Sequence, residues 1–135
     1  MGVGAVAPRT EFGLPGSGLD EPLARRIGAR CLDEASGRFE LALAPYVGNS
    51  LGALQGGAAA LLVDLAAEAA GGAALASPCL PRDLALNYLA LAREGPARTE
   101  ARVLRVDAEG ALVRVELRDG AGGLAALATV SVGRV

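Results

Sequence analysis

An α+β fold is predicted for this chain of 135 residues, and three observations predict it. Residues 56–70 are built almost wholly from Ala, Leu and Val, and a helix apolar on every side is a buried helix. The segments that follow alternate apolar and polar residues, the period of half-buried strands. Tight turns rich in Asp and Gly join those segments, and tight turns make antiparallel neighbours. Together they describe one long central helix wrapped by a curved antiparallel sheet of five to six strands.

Residues 1–20 are rich in Gly and Pro and show no period; they read as a flexible N-terminal arm, leaving residues 21–135 as a single domain. Pro22 suits the first turn of a short helix near residues 21–26. Residues 27–35 and 37–43 read as two strands, with Ser36-Gly37 as the hairpin turn. In the second, Phe39, Leu41 and Leu43 alternate with Arg38, Glu40 and Ala42. Residues 45–54 read as a loop. Gly56-Gly57 opens the helix, and Gly71-Gly72 closes it as a C-cap. Pro78 and Pro81 punctuate the next connection. Four strands then follow, over residues 83–92, 97–106, 111–118 and 124–132. Their turns are Glu94-Gly95-Pro96, residues 107–110 and residues 119–123. In the third of these strands Val113, Val115 and Leu117 face one way and Arg114, Glu116 and Arg118 the other.

Composition narrows the function. The chain is 52% hydrophobic but only 3% aromatic, so its core is made of Ala, Leu and Val. Small side chains bury little area each, which favours oligomerisation to complete the burial. A net charge of −2 argues against general nucleic-acid binding, which needs a basic patch. All 13 basic residues are Arg. A planar guanidinium grips phosphate well, although most surface arginines are simply solvated. Cys31 and Cys79 stand far apart with no metal-ligand spacing, so no metal site is expected and two free thiols are the default of an intracellular protein. Histidine is absent. This excludes Ser-His-Asp and Cys-His nucleophiles and imidazole acid–base work. Proton chemistry falls to carboxylates, tyrosine or bound water. The N-terminus lacks a basic segment followed by an apolar run, so no signal peptide is expected. The apolar helix is about long enough to cross a bilayer, but Asp64 and Glu68 within it argue against a membrane partner. A soluble cytoplasmic protein is expected.

Those two carboxylates are the strongest sign of a site. Acidic side chains are almost never fully buried unless paired or used. Their i, i+4 spacing puts them on one helix face, where like charge should raise one pKa. The plainer reading is a salt bridge to an arginine such as Arg82 or Arg93. Gly56-Gly57 is either a helix-start device or a place where a ligand can meet bare backbone N–H groups. Asn49 is either a turn cap or a site amide. Ser50 has no histidine partner and reads as a loop hydroxyl, and Tyr46 and Tyr88 read as core or interface residues.

Asn49, Gly52, Gln55, Gly56, Gly57 and Asp64 fall at a recognisable spacing. Residues 83–96 and 115–120 follow it in a recognisable order. This pattern resembles the hotdog-fold acyl-CoA thioesterases, in the branch of the phenylacetate-pathway (PaaI-like) and 4-hydroxybenzoyl-CoA thioesterases, over about residues 27–132. The resemblance implies acyl-CoA thioester hydrolysis. Asp64 matches the carboxylate that acts as nucleophile or as general base on water. Gly56 matches the residue whose backbone N–H polarises the thioester carbonyl. Asn49 matches a polar residue that faces the acid across a subunit interface. The family's His before the glycine pair is Gln55 here, which can donate a hydrogen bond but cannot shuttle a proton. Glu68 stands where many relatives carry Ser or Thr. Gly57, Arg82 and Arg93 are candidate substrate-binding positions, the arginines for coenzyme A phosphates; Arg98 lies near a loop end too. No cofactor is implied, since coenzyme A belongs to the substrate. A homo-oligomer is implied, dimer or tetramer.

Beside the resemblance, a thioester hydrolase needs few parts: a water or carboxylate nucleophile, a donor for the oxyanion and a channel for the acyl chain. A helix N-terminus supplies oriented N–H groups and a dipole that favours negative charge. Asp64 lies two turns further on, about 12 Å in rise from Gly56. The alternative function is a non-catalytic acyl-CoA or small-ligand binding module of the same fold, which Gln55 and Glu68 make plausible. Dehydration of hydroxyacyl thioesters is disfavoured by the absence of histidine.

Overall fold

In this computed structural model, which describes residues 22–135, the chain starts in a short helix, α1 (Leu23–Ile27). The predicted arm, residues 1–20, lies outside the described residues. A hairpin of β1 (Arg30–Asp33) and β2 (Arg38–Leu41) follows, then a 3-10 turn (Pro45–Val47) and the long helix α2 (Gly56–Leu75). Four strands complete the chain: β3 (Cys79–Tyr88), β4 (Ala97–Val106), β5 (Gly110–Arg118) and β6 (Leu124–Arg134). The six strands form one sheet in the order β1-β2-β4-β5-β6-β3, and every neighbouring pair is antiparallel.

The turns form where short acids accept backbone N–H groups. Asp107 Oδ1 accepts from Glu109 N at 2.9 Å and Gly110 N at 3.0 Å. Asp119 Oδ1 accepts from Ala121 N at 3.1 Å and Gly123 N at 2.9 Å. Asp33 Oδ2 does the same for Ser36 N at 2.9 Å. Gly37, in the left-handed region at φ 58°, completes that first hairpin. A Cβ there would strike the Ala101 methyl and lie 2.7 Å from the Ala66 carbonyl oxygen, so the hairpin can press against α2 only with glycine.

The core sits between α2 and the sheet. Leu62, Val63, Ala66, Ala67 and Ala70 of α2 are buried together with Val113, Val115 and Leu117 of β5 and Val130 and Val132 of β6. The predicted alternation in β5 thus holds: the Val and Leu set faces the helix, and Arg114, Glu116 and Arg118 line the outer surface. Small residues bring helix and sheet close. A Cβ on Gly71 would lie 2.6 Å from Val132 Cγ2.

Two predicted boundaries are corrected. Gly71-Gly72 does not cap α2; the helix runs on to Leu75 and ends at Ala76, which takes the left-handed conformation. Gly71 serves close packing instead. The strand predicted over residues 83–92 starts earlier and ends earlier, at Cys79–Tyr88. Pro81 fits inside it because β3 is an edge strand, where a missing N–H need not cost a ladder bond, and the register shifts beside it between Pro81 and Asp83.

β2 pairs with β4 over only two registered positions, Glu40↔Arg98 and Leu41↔Ala97. Beyond them a side chain replaces the ladder. The buried Thr99 hydroxyl donates to Gly37 O at 2.8 Å and accepts from Phe39 N at 3.1 Å.

At the other end of the sheet β3 pairs with β6 alone. Its inner face is left open: Leu84 and Tyr88 are exposed and Leu86 half-buried. The helix face bearing Ala60, Leu61, Asp64, Leu65 and Glu68 is likewise only half-buried. By length and composition α2 could cross a membrane; in this fold it lies on the sheet.

Candidate active site

The N-terminus of α2 is anchored from two sides and capped from within. Gln55 N donates to Val47 O at 2.8 Å, and Leu54 N donates to Ala92 O at 2.8 Å. Gln55 is the N-cap, its Oε1 accepting from Ala58 N at 2.9 Å. Its amide oxygen is thus committed to the helix, and its Nε2 remains as a donor. Gly57 makes this cap possible, since a Cβ there would lie 2.9 Å from Gln55 Oε1. With Ala58 capped, the N–H groups of Gly56 and Gly57 are the donors that the helix leaves without an intrahelical acceptor.

Asn49 organises the loop before the helix. Its Oδ1 accepts from Leu51 N at 2.9 Å and Ala53 N at 3.0 Å, and its own N–H donates to Ala53 O at 2.7 Å. The turn-capping role therefore occupies the oxygen and leaves Nδ2 to donate elsewhere.

Asn49, Gly56 and Tyr88 come together around an apolar cavity of about 210 Å³, walled by Leu54, Leu91 and Leu117. Tyr88 donates its hydroxyl proton to Gly56 O at 2.7 Å. A second cavity of about 310 Å³ adjoins it, sharing Asn49 and Leu54 and bordered by Arg93. Arg82 lies at the far end of β3, where its guanidinium donates to Arg134 O at 3.4 Å. Arg98 is tied to Glu40 at 2.8 Å.

Asp64 and Glu68 stand further along α2 and line neither cavity. Within one chain the helix rise separates Asp64 from Gly56 by about 12 Å. No ion pair to Arg82 or Arg93, the plainer sequence reading, holds either acid among the described residues. Asp64 Oδ1 is buried and has no hydrogen-bond partner, a costly state for a carboxylate oxygen. Burial, then the neighbouring Asp64 carboxyl, push Glu68 up to about 8. As two carboxylates the pair has only acceptors. With its proton on, Glu68 is a hydrogen-bond donor beside Asp64. Cys79 sits beside the pair, its thiol donating to Glu68 O at 3.3 Å and pushed up by burial and by both acids. Both cysteines are free thiols.

Tyr88 and Thr99 are the residues the sequence reading did not single out for these roles. A tyrosine or threonine in an alternating strand carries no local sign of its partner 32 or 62 residues away.

A long helix laid in a curved six-stranded antiparallel sheet, with a glycine pair at the helix N-terminus and acids along one helix face, defines the hotdog class of thioester-handling domains. The sequence profile of the acyl-CoA thioesterase N-terminal domain matches residues 49–133, and the chain belongs to that acyl-CoA thioesterase family. Solved structures agree on the fold. A conserved protein of Pseudomonas aeruginosa is similar at 21% identity over 95% of this chain and 100% of its own, with a TM-score of 0.78. A phenylacetic acid degradation-related protein of Ralstonia eutropha JMP134 is 26% identical over 85% of this chain and 93% of its own, TM-score 0.70. A Bacillus halodurans protein solved with CoA is 20% identical over 82% of this chain and 74% of its own, TM-score 0.71. A search of curated proteins finds no match.

Proposed function

We propose that this protein hydrolyses acyl-CoA thioesters, with Asp64 as the base or nucleophile and the Gly56 N–H as the donor to the thioester carbonyl. One observation carries the reading: in a thioesterase-family domain, a half-buried helix face holds a carboxylate whose Oδ1 is buried and unpartnered. An acceptor that no donor of this chain fills can take a proton from a water that reaches it with the substrate. The CoA carried by the Bacillus halodurans structure supports a CoA ester as the substrate class.

In the reaction, water attacks the thioester carbonyl carbon while Asp64 accepts its proton. The oxyanion that forms is met by the Gly56 N–H at the positive end of α2. Collapse breaks the C–S bond, and the proton on Asp64 passes to the departing thiolate, giving the carboxylic acid and free coenzyme A. The substrate brings the only coenzyme the reaction uses. A proton on Glu68 keeps the acid pair from carrying two adjacent charges. Arg93, beside the second cavity and the Asn49 loop, is the better placed of the two candidate arginines for a phosphate.

The same reading includes a homo-oligomer, a dimer or a tetramer built of two dimers. Its support is physical. β3 offers ten residues of free edge, which a second copy can satisfy. The open faces of β3 and α2 carry Leu84, Tyr88, Leu61 and Leu65, which a partner would cover. A partner would also bring a second Gly56 and Asn49 toward Asp64, closing the gap that one chain leaves.

The test is free-thiol release from a panel of acyl-CoAs. Steady turnover of at least one ester supports the reading. Tight binding of acyl-CoA with no thiol release would favour the non-catalytic module, for which the loss of the imidazole at Gln55 is the motive.

A further inference from the structure

Tyr88 is a polar side chain in contact with the first peptide of α2 that the chemistry above does not use. Its hydroxyl donates to Gly56 O at 2.7 Å. That carbonyl belongs to the Gly56–Gly57 peptide, whose N–H is the second open donor of the helix. A hydrogen bond on the oxygen fixes the plane of this amide and makes its N–H a stronger donor. Glycine eases the close approach. A Cβ at position 56 would lie 3.3 Å from Tyr88 Oη and 3.4 Å from Cζ, tighter than packed side chains normally sit.

Tyr88 also lines the apolar cavity beside Gly56, together with Leu54, Ala59 and Leu117. At about 210 Å³ this space is limited: a cavity of about 150 Å³ accommodates benzene. A short acyl group fits a space of this size, and the Tyr88 ring forms part of its wall. The ring is reached from β3, whose last residue is Tyr88 itself. The strand end thus brings its side chain to the helix start.

We propose that Tyr88 is the positioning and specificity-determining residue of this site: its hydroxyl orients the Gly56–Gly57 peptide, and its ring sets the length of acyl group that the cavity admits. This rests on the reading that the thioester carbonyl meets the N-terminus of α2, with the Gly57 N–H as a second donor beside that of Gly56. The two roles separate by substitution. Tyr88→Phe keeps the ring and removes the hydroxyl. Tyr88→Ala removes both and opens the cavity. Tyr88 is 58% exposed within one chain, so neither change empties that chain's core; because the same face is proposed to meet a partner, light scattering beside the melting curves checks that both variants keep the wild-type assembly.

The experiment uses straight-chain acyl-CoAs from butanoyl to dodecanoyl, with kcat and KM from thiol release and Kd from calorimetry on the same esters. For Tyr88→Phe, kcat is expected to fall by about tenfold, the factor that one ordinary hydrogen bond carries, with KM little changed and the chain-length preference kept. For Tyr88→Ala, the preferred chain is expected to lengthen in both kcat/KM and Kd. Wild-type kcat in Tyr88→Phe would overturn the positioning role, and an unchanged chain-length profile in Tyr88→Ala would overturn the specificity role. If the wild-type protein binds these esters without cleaving them, the hydrolytic reading fails alone. The Kd profile then decides the specificity role, and unaltered thioester carbonyl polarisation in bound Tyr88→Phe, read from its infrared stretch, overturns the positioning role. If it binds none of them, both fail together.

Discussion

Asp64 and Glu68 stand one helical turn apart on α2, with Asp64 Oδ1 buried and unpartnered and the Glu68 carboxyl pushed up to about 8 by burial and by Asp64. The pair holds a proton in the folded protein at neutral pH that the unfolded chain would release.

That relationship sets the sign of a pH effect on stability. Glu68 ionises near 4.5 in the unfolded chain and near 8 in the folded one. Its neutral form is favoured by folding, so the fold is least burdened below pH 4.5. Stability is lost as pH rises from 4.5 through 8, because the unfolded state gives up the proton first. Glu68→Gln removes this loss. The melting temperature of the variant should exceed that of wild type by a margin that widens across this window. Parallel melting curves from pH 4.5 to 8 would show that Glu68 is not held protonated. In the hydrolysis assay the same variant should retain part of its activity with a shifted pH profile.

Thr99 carries the short β2–β4 junction. Thr99→Val keeps the shape but orphans Gly37 O and Phe39 N, which the hydroxyl now serves. The expected loss is about 2 kcal/mol, the cost of leaving buried backbone groups unsatisfied. Urea denaturation measures it, and a change below the error of the fit would mean that water replaces the hydroxyl there.

The open inner face of β3 bears on assembly. Leu84→Arg puts a charge where a second copy is expected to pack. Light scattering at micromolar concentration should show an oligomer for wild type and a smaller species for the variant. Activity should fall with the mass if the site spans two chains. A wild-type monomer with full activity would remove the oligomer from the account.

Most of the architecture was legible because it is local. The alternation of Val113, Val115 and Leu117 and the turn-forming Asp107 and Asp119 mark β5 and its hairpins without help from distant residues. Boundaries failed where tertiary contact overrode local signal. Gly71 reads as a helix stop, yet its role is to let α2 approach Val132. Pro81 reads as a strand breaker, yet an edge strand tolerates it. The site divides the same way. Gly56, Gln55 and Asp64 stand out by spacing along one segment. The meeting of Tyr88 with Gly56, the capping of α2 by Gln55 Oε1 and the missing partner of Asp64 Oδ1 exist only once the chain is folded.

The central claim is that Asp64 does the chemistry, and Asp64→Asn tests it most directly. The amide keeps the shape of the acid and removes its charge and basicity. It is also cheaper to bury, so a melting curve at or above wild type is expected. Steady-state hydrolysis of the best acyl-CoA in the panel should fall by about 10²- to 10⁴-fold or more, as for loss of a general base or nucleophile. A folded Asp64→Asn protein that turns over at the wild-type rate would contradict the account.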